Sequence, residues 1–252
     1  MNVVHNTTQK RWITRCLVTV LLCLLAVSVA SAQDEVAPEA TPEPLPIAPQ
    51  VIEIDALDGL DLTADFYLVD PARPTVILIH EMYTDRTSWD PLLLPLLANA
   101  YNILVPDVRG WGDTRGAINW YSAVEDVSVW FTWLRETAGV NPEAIHTVGS
   151  SMGSSLAING CANDEFCRSS VAISPGWRYY GISVQDTIAT KQTLVIYAER
   201  DRWPALGVPD MVEAAPETLT VITYPGNAHG MDLFEDEQET VVVQILEWLN
   251  TH

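Results

Sequence analysis

A serine hydroxyl is a poor nucleophile at neutral pH until a base lies within hydrogen-bond reach and an acid orients that base. Ser151 stands at the centre of Gly149-Ser150-Ser151-Met152-Gly153, a Gly-x-Ser-x-Gly pentapeptide. An apolar, partly β-branched run, Ala144-Ile145-His146-Thr147-Val148, precedes it, and a small-residue helical stretch, Ser154 to Ile158, follows. Strand, sharp turn and helix in that order form a nucleophile elbow, whose strained turn lifts the hydroxyl clear of the sheet. The turn packs against its own flanks, so the positions two before and two after the serine must be small. Gly149 and Gly153 meet that demand. Taken alone, the pentapeptide fits an ordinary Gly-Ser turn equally well.

A base and an acid are sought at the ends of other strands. After the run Leu219 to Tyr224 comes Pro225-Gly226-Asn227-Ala228-His229-Gly230, which offers His229 as the base. After Thr193 to Tyr197 comes Ala198-Glu199-Arg200-Asp201-Arg202-Trp203-Pro204, with two acids, Glu199 and Asp201, competing to orient it. His146 lies inside the elbow strand and reads as structural, while His80 ends a strand and orders the loop beside it.

These residues need a frame. Val51–Ile54 and Leu62–Leu68 flank Asp58-Gly59 and read as an antiparallel hairpin. Thr75–Ile79 and Asn102–Pro106 are continuous apolar runs, the pattern of strands buried on both faces. Ser88 to Ala100 reads as a helix, with Pro91 and Pro95 sitting awkwardly in it. Tyr121 to Arg135 places Val124, Val127, Trp130, Phe131 and Leu134 at helical spacing, and Gly139 closes it. The elbow strand, Val171–Ser174, Thr193–Tyr197 and Leu219–Tyr224 follow, and a last helix starts near Glu235. Strands alternating with helices imply an α/β fold, a mostly parallel twisted sheet covered on both faces. Ser151, Asp201 and His229 all fall just past strands, at the edge where open α/β sheets carry their sites.

In this order and context the chain resembles the α/β-hydrolase family from Val51 to its C-terminus. Pro106-Asp107-Val108-Arg109-Gly110-Trp111-Gly112 is similar to the family's loop after the strand preceding the elbow strand. The resemblance implies a Ser151-Asp201-His229 triad, with Asp201 favoured over Glu199. It also implies an oxyanion hole of two backbone N–H groups, from Met152 and from Met82 in the loop His80-Glu81-Met82-Tyr83. His-Glu in that loop, where many members have His-Gly, resembles the dienelactone-hydrolase branch. That branch usually carries a cysteine nucleophile, so its substrate class does not transfer. The same resemblance points Glu81 inward, where its charge would raise the pKa of His229. Only Pro175 to Gln192 separates two of the strands, too short for a lid domain, so the fold has a short lid or none. Glu81, Tyr83, Trp111, Trp177 and Trp203 are candidates for the substrate pocket. The three tryptophans, with Tyr179 and Tyr180, equally fit a packing role.

The N-terminus reads as a targeting segment. Lys10, Arg11 and Arg15 precede a largely apolar stretch, Cys16 to Val29, that ends at Ala30-Ser31-Ala32, a small-residue cleavage site. Residues 1–32 are thus expected to be a signal peptide, with an uncleaved anchor as the alternative. Residues 33–50, rich in Pro, Glu and Ala, are expected to be a disordered linker. The hydrolase domain occupies 51–252. Export leaves two of the four cysteines, Cys161 and Cys167, which flank a five-residue polar loop and are expected to pair in an oxidising compartment. A formal charge of −20 argues against nucleic-acid binding, which needs clustered Lys and Arg. It also weakens attraction to anionic lipid.

The expectation is a secreted or periplasmic serine hydrolase that cleaves a small-molecule carboxylic ester through an acyl-enzyme. It needs no metal or organic cofactor and has no stable membrane association once the signal is removed. A peptidase or amidase on the same triad, and an inactive hydrolase fold serving as a binding module, are the alternatives.

Overall fold

Apolar β-branched runs separated by amphipathic helices pack in only a few ways, and this chain takes the one in which the runs line up in one sheet. The computed structural model describes residues 47–252. The expected signal peptide, 1–32, and most of the expected linker, 33–50, lie outside the described residues.

The hairpin forms as its Asp58-Gly59 turn demands. β1 (Gln50–Asp55) pairs antiparallel with β2 (Asp61–Tyr67), Ile54 opposite Leu62, and Gly59 takes the left-handed φ of 80°. β3 (Thr75–Ile79), β4 (Asn102–Pro106) and β5 (Ile145–Ser150) are buried at every position, as their unbroken apolar patterns required. β6 (Cys167–Ile173), β9 (Gln192–Ala198) and β10 (Leu219–Tyr224) complete an eight-stranded sheet of order β1-β2-β4-β3-β5-β6-β9-β10. From β4 to β10 every pairing is parallel, so six strands end on one edge.

Helices cover both faces. α2 (Trp120–Glu136) starts where the Asn119 side chain accepts from the N–H groups of Tyr121 and Ser122, and it buries Ala123, Val127, Trp130, Phe131 and Leu134. α3 (Met152–Asn163) follows the elbow directly. α5 (Leu233–Thr251), broken by a non-helical Glu237, packs Val241, Ile245 and Leu249 into the core on the other face.

One sequence expectation changes, and two elements appear that the sequence reading did not mark. The helix expected over Ser88–Ala100 is a 3-10 turn, Arg86–Trp89, followed by α1 (Asp90–Ala98). Pro91 is tolerated because it sits in the first turn, where no intrahelical N–H bond is lost. The loop after β9 is short, because α4 (Arg202–Ala214) begins one residue past Asp201. The segment before β9 is not bare connection: β7 (Arg178–Tyr179) and β8 (Ile182–Ser183) form a small antiparallel hairpin, turning at Tyr180 and Gly181 with left-handed φ. The expected pairing of Cys161 with Cys167 is present as a disulfide across a Cα separation of 5.2 Å, joining the end of α3 to the start of β6.

Candidate active site

Ser151 is placed by its own turn. It holds φ 50° and ψ −114°, a conformation L-residues rarely adopt and one that costs about 1–3 kcal/mol. The turn closes only because its flanks lack side chains. A Cβ on Gly149 would overlap the Gly153 carbonyl, and one on Gly153 would overlap the Ile79 carbonyl at the end of β3. The second of these contacts brings the elbow against the loop that carries Glu81 and Met82.

Ser151, His229 and Asp201 meet. Asp201 Oδ2 lies 2.7 Å from His229 Nδ1, and His229 Nε2 lies 2.7 Å from Ser151 Oγ. A carboxylate can only accept, so Nδ1–H donates to Asp201 and Nε2 is left to accept from the serine hydroxyl. Asp201 is buried at 4% side-chain exposure, while His229 keeps 35%. The Asp201 hydrogen bond raises the His229 pKa; burial opposes the rise, and the charges of Asp201, Glu81 and Asp232 add to it. Glu199 is exposed and its side chain makes no hydrogen bond among the described residues, so the acid facing the imidazole is Asp201.

Met152 follows the serine directly, and Met82 lies in the loop after β3, the strand end that the elbow packs against. Met152 is the first residue of α3, where a backbone N–H has no intrahelical acceptor. Neither its N–H nor that of Met82 has a protein acceptor among the described hydrogen bonds. The loop carrying Met82 is pinned by His80. His80 Nδ1–H donates to the Glu81 carbonyl at 2.7 Å, and the Val108 N–H donates to Nε2 at 2.9 Å. Those two bonds fix one neutral tautomer, and burial lowers the pKa of the ring.

Glu81 points inward. Its Oε2 accepts from the Ser150 hydroxyl at 2.7 Å and from the Met231 N–H at 3.1 Å. One carboxylate therefore ties the loop bearing Met82, the elbow strand and the loop after His229. A second pin comes from Ser174 at the end of β6, whose hydroxyl accepts from the Gly230 N–H at 2.8 Å. Gly230 has to be glycine, because it holds φ 58° and a Cβ there would overlap Glu81. Sequence reasoning missed Ser150 and Ser174, although Ser174 ends a strand at the same edge, and that position could have flagged it.

A cavity of about 60 Å3 opens beside Ser151 and His229, walled by Ser174, Gly176, Arg178, Tyr179 and Trp203. Of the five candidate pocket residues, Trp203 alone lines it. Trp111 packs edge-on to His80 and against Trp120. Trp177 packs closely against Gly207 of α4, where a Cβ would meet its backbone. Tyr83 is 85% exposed and turned to solvent by a φ of 65°. Glu81 is turned to Ser150 and the Met231 N–H. Tyr180 stacks on Trp120, and Tyr179 both lines the cavity and donates its hydroxyl to Met82 Sδ at 3.1 Å. Among the described residues no group of three or more His, Cys, Asp or Glu side chains is placed to hold a metal ion.

Residues 76–242 match the profile of the Alpha/beta hydrolase family. That is well over half of the chain, and the protein belongs to this family. Two curated relatives share shorter stretches. Uncharacterized protein YfhR of Salmonella typhimurium is 28% identical over 131 residues, 48% of this chain and 45% of that protein. Thiohydrolase aneE of Aspergillus aculeatus is 26% identical over 129 residues, 49% of this chain and 41% of that protein. The match thus spans less than half the length of either relative. Among solved structures, the Pyrococcus furiosus esterase Pf2001 superposes with a TM-score of 0.72 at 21% identity, over 85% of this chain and 96% of that one. At that identity the likeness is one of fold. None of these three names mentions a dienelactone hydrolase, so the branch suggested by His80-Glu81 gains no support from them.

Proposed function

We propose that the protein is an exported serine hydrolase that cleaves short-chain carboxylic esters through an acyl-enzyme. The observation that carries this reading is the unbroken hydrogen-bond chain from Ser151 through His229 to Asp201, at 2.7 Å and 2.7 Å. Ser151 Oγ attacks the ester carbonyl while His229 Nε2 takes its proton. The Met82 and Met152 N–H groups hold the developing oxyanion, each worth about 10²–10³ in kcat. The tetrahedral intermediate collapses, and His229 returns the proton to the departing alcohol. Water, deprotonated by the same nitrogen, then releases the acid and restores the serine. Asp201 fixes the tautomer and stabilises the imidazolium in both steps.

Family membership supports a small-molecule hydrolase, and the size of the cavity supports a short acyl group. The cavity beside the triad is small, about 60 Å3. A thioester is a second acyl donor that the same site would attack, a reading favoured by the thiohydrolase among the relatives. Export rests on the targeting pattern of residues 1–32, on 33–50 as a tether, and on the Cys161–Cys167 disulfide.

Labelling with a fluorophosphonate, abolished by Ser151→Ala, together with turnover of acetyl and butyryl p-nitrophenyl esters, tests the activity. A folded protein that neither labels nor turns over is the binding module and not the enzyme. N-terminal sequencing of secreted material is expected to begin at or near Gln33.

A further inference from the structure

The wall of the cavity beside Ser151 and His229 carries one charge of its own, and it is positive. Arg178 on β7 lines the cavity, and none of the lining residues is acidic. The acids of the site, Asp201 and Glu81, are engaged by His229, Ser150 and the Met231 N–H. Arg178 has no salt bridge among the described residues, and its side chain makes no described hydrogen bond. Arg86, Arg109 and Arg135, by contrast, are all held by aspartates. Arg73, Arg115, Arg168, Arg200 and Arg202 likewise form no ion pair among the described residues, and what distinguishes Arg178 from them is that it lines the cavity holding Ser151 and His229.

Its position is also held firmly. Arg178 pairs with Ser183 across the small hairpin. The next residue, Tyr179, donates to Met82 Sδ and packs edge-on against Trp120. The backbone at Arg178 is therefore tied, through its neighbour, to the loop that carries Met82, and from it the exposed side chain reaches the cavity. Trp203 also lines the cavity, with the Arg202 guanidinium 5.8 Å from its ring centroid. A planar fork of unspent N–H donors at the mouth of a small cavity matches a carboxylate, which it binds through two parallel hydrogen bonds.

We propose that Arg178 is a specificity residue that selects short esters bearing a free carboxylate, such as monoesters of small dicarboxylic acids. This rests on the hydrolase reading above. Arg178 takes no part in the bond changes. It holds the substrate's carboxylate while Ser151 attacks the ester carbonyl, and it offsets the repulsion that the acidic surface exerts on an anion.

The test compares monomethyl succinate, with the charge on the acyl side, O-acetylglycolate, with the charge on the alcohol side, and neutral methyl butyrate. kcat/KM is measured at low and high salt. The wild-type protein is expected to favour at least one of the anionic esters over the neutral one at both salt levels, because salt screens the repulsion of the acidic surface as well as the attraction of Arg178. Arg178→Gln is expected to cut the anionic-to-neutral ratio about tenfold, and Arg178→Lys to retain part of it. Turnover of methyl butyrate with no anionic preference, or a ratio untouched by Arg178→Gln, overturns this inference and leaves the hydrolase intact. Turnover of none of the three, with no fluorophosphonate labelling, overturns the hydrolase reading and this one with it.

Discussion

Two acids competed for one role at the residue scale, and spacing could not separate them. Both Glu199 and Asp201 follow β9, but only Asp201 is buried against His229. Asp201→Asn is therefore expected to lower kcat by about 10⁴, because the amide favours the wrong imidazole tautomer, while Glu199→Gln stays within a few-fold of wild type. Equal losses in the two variants, measured on a short ester, would remove Asp201 from the site. Glu81 acts on the same imidazole from further away. Its charge adds to the rise in the His229 pKa, so Glu81→Gln should move the acid limb of the kcat/KM profile to lower pH. The same change weakens the tie to Ser150 and Met231, so kcat should fall even on the pH plateau. A lower plateau with an unmoved limb would leave Glu81 a purely mechanical strut.

Elements were more legible than contacts. The parallel strands that bear or border the site, β3, β5, β6, β9 and β10, were readable because each is a short run rich in apolar or β-branched residues that recurs between helical stretches. The elbow was readable because its two glycines are a steric necessity. α4 was hidden by Pro204 in its first turn and Pro209 inside it, and the β7–β8 hairpin by strands of two residues, too short to show a period. The roles of Ser150, Ser174 and Arg178 depend on side chains brought together from distant strands, which no local pattern records. The disulfide is the exception, a contact visible from spacing alone. Replacing both Cys161 and Cys167 with serine is expected to cost about 2–3 kcal/mol and to lower Tm by about 5–10 °C. Calorimetry without reductant reads this directly, and an unchanged Tm would show that the bridge does not stabilise the α3–β6 junction.

For the whole molecule, buried histidines set an acid limit. His146 in β5 sits 2.9 Å from Ser169 Oγ, and burial pushes its pKa down to about 4, with Arg168 and His252 adding to the effect. His80 is shifted the same way. Between the ordinary histidine value and these lowered ones the unfolded chain binds more protons than the fold. Stability is therefore complete above pH ~6.5 and falls as the pH drops toward 4, by on the order of 3 kcal/mol from His146 alone. Urea midpoints should fall steadily from pH 7 to pH 4.5, less steeply in His146→Asn, and a flat wild-type series would contradict this. That same acid range exposes a difference between the two rims of the sheet. Each rim strand pairs on one side only, β1 with β2 and β10 with β9. β1 carries Glu53 and Asp55, whereas β10, Leu-Thr-Val-Ile-Thr-Tyr, carries no charge and is half-exposed along most of its length. Uncharged β-branched rims are templates for strand addition between molecules. Here the net negative charge of the protein is what keeps molecules apart, and that charge fades as carboxylates take up protons below pH ~5. Self-association should therefore set in over that interval, before global unfolding is complete, with light scattering rising first. A lysine at the exposed Thr220 should delay its onset, because it puts a charge on the rim that does not depend on the carboxylates.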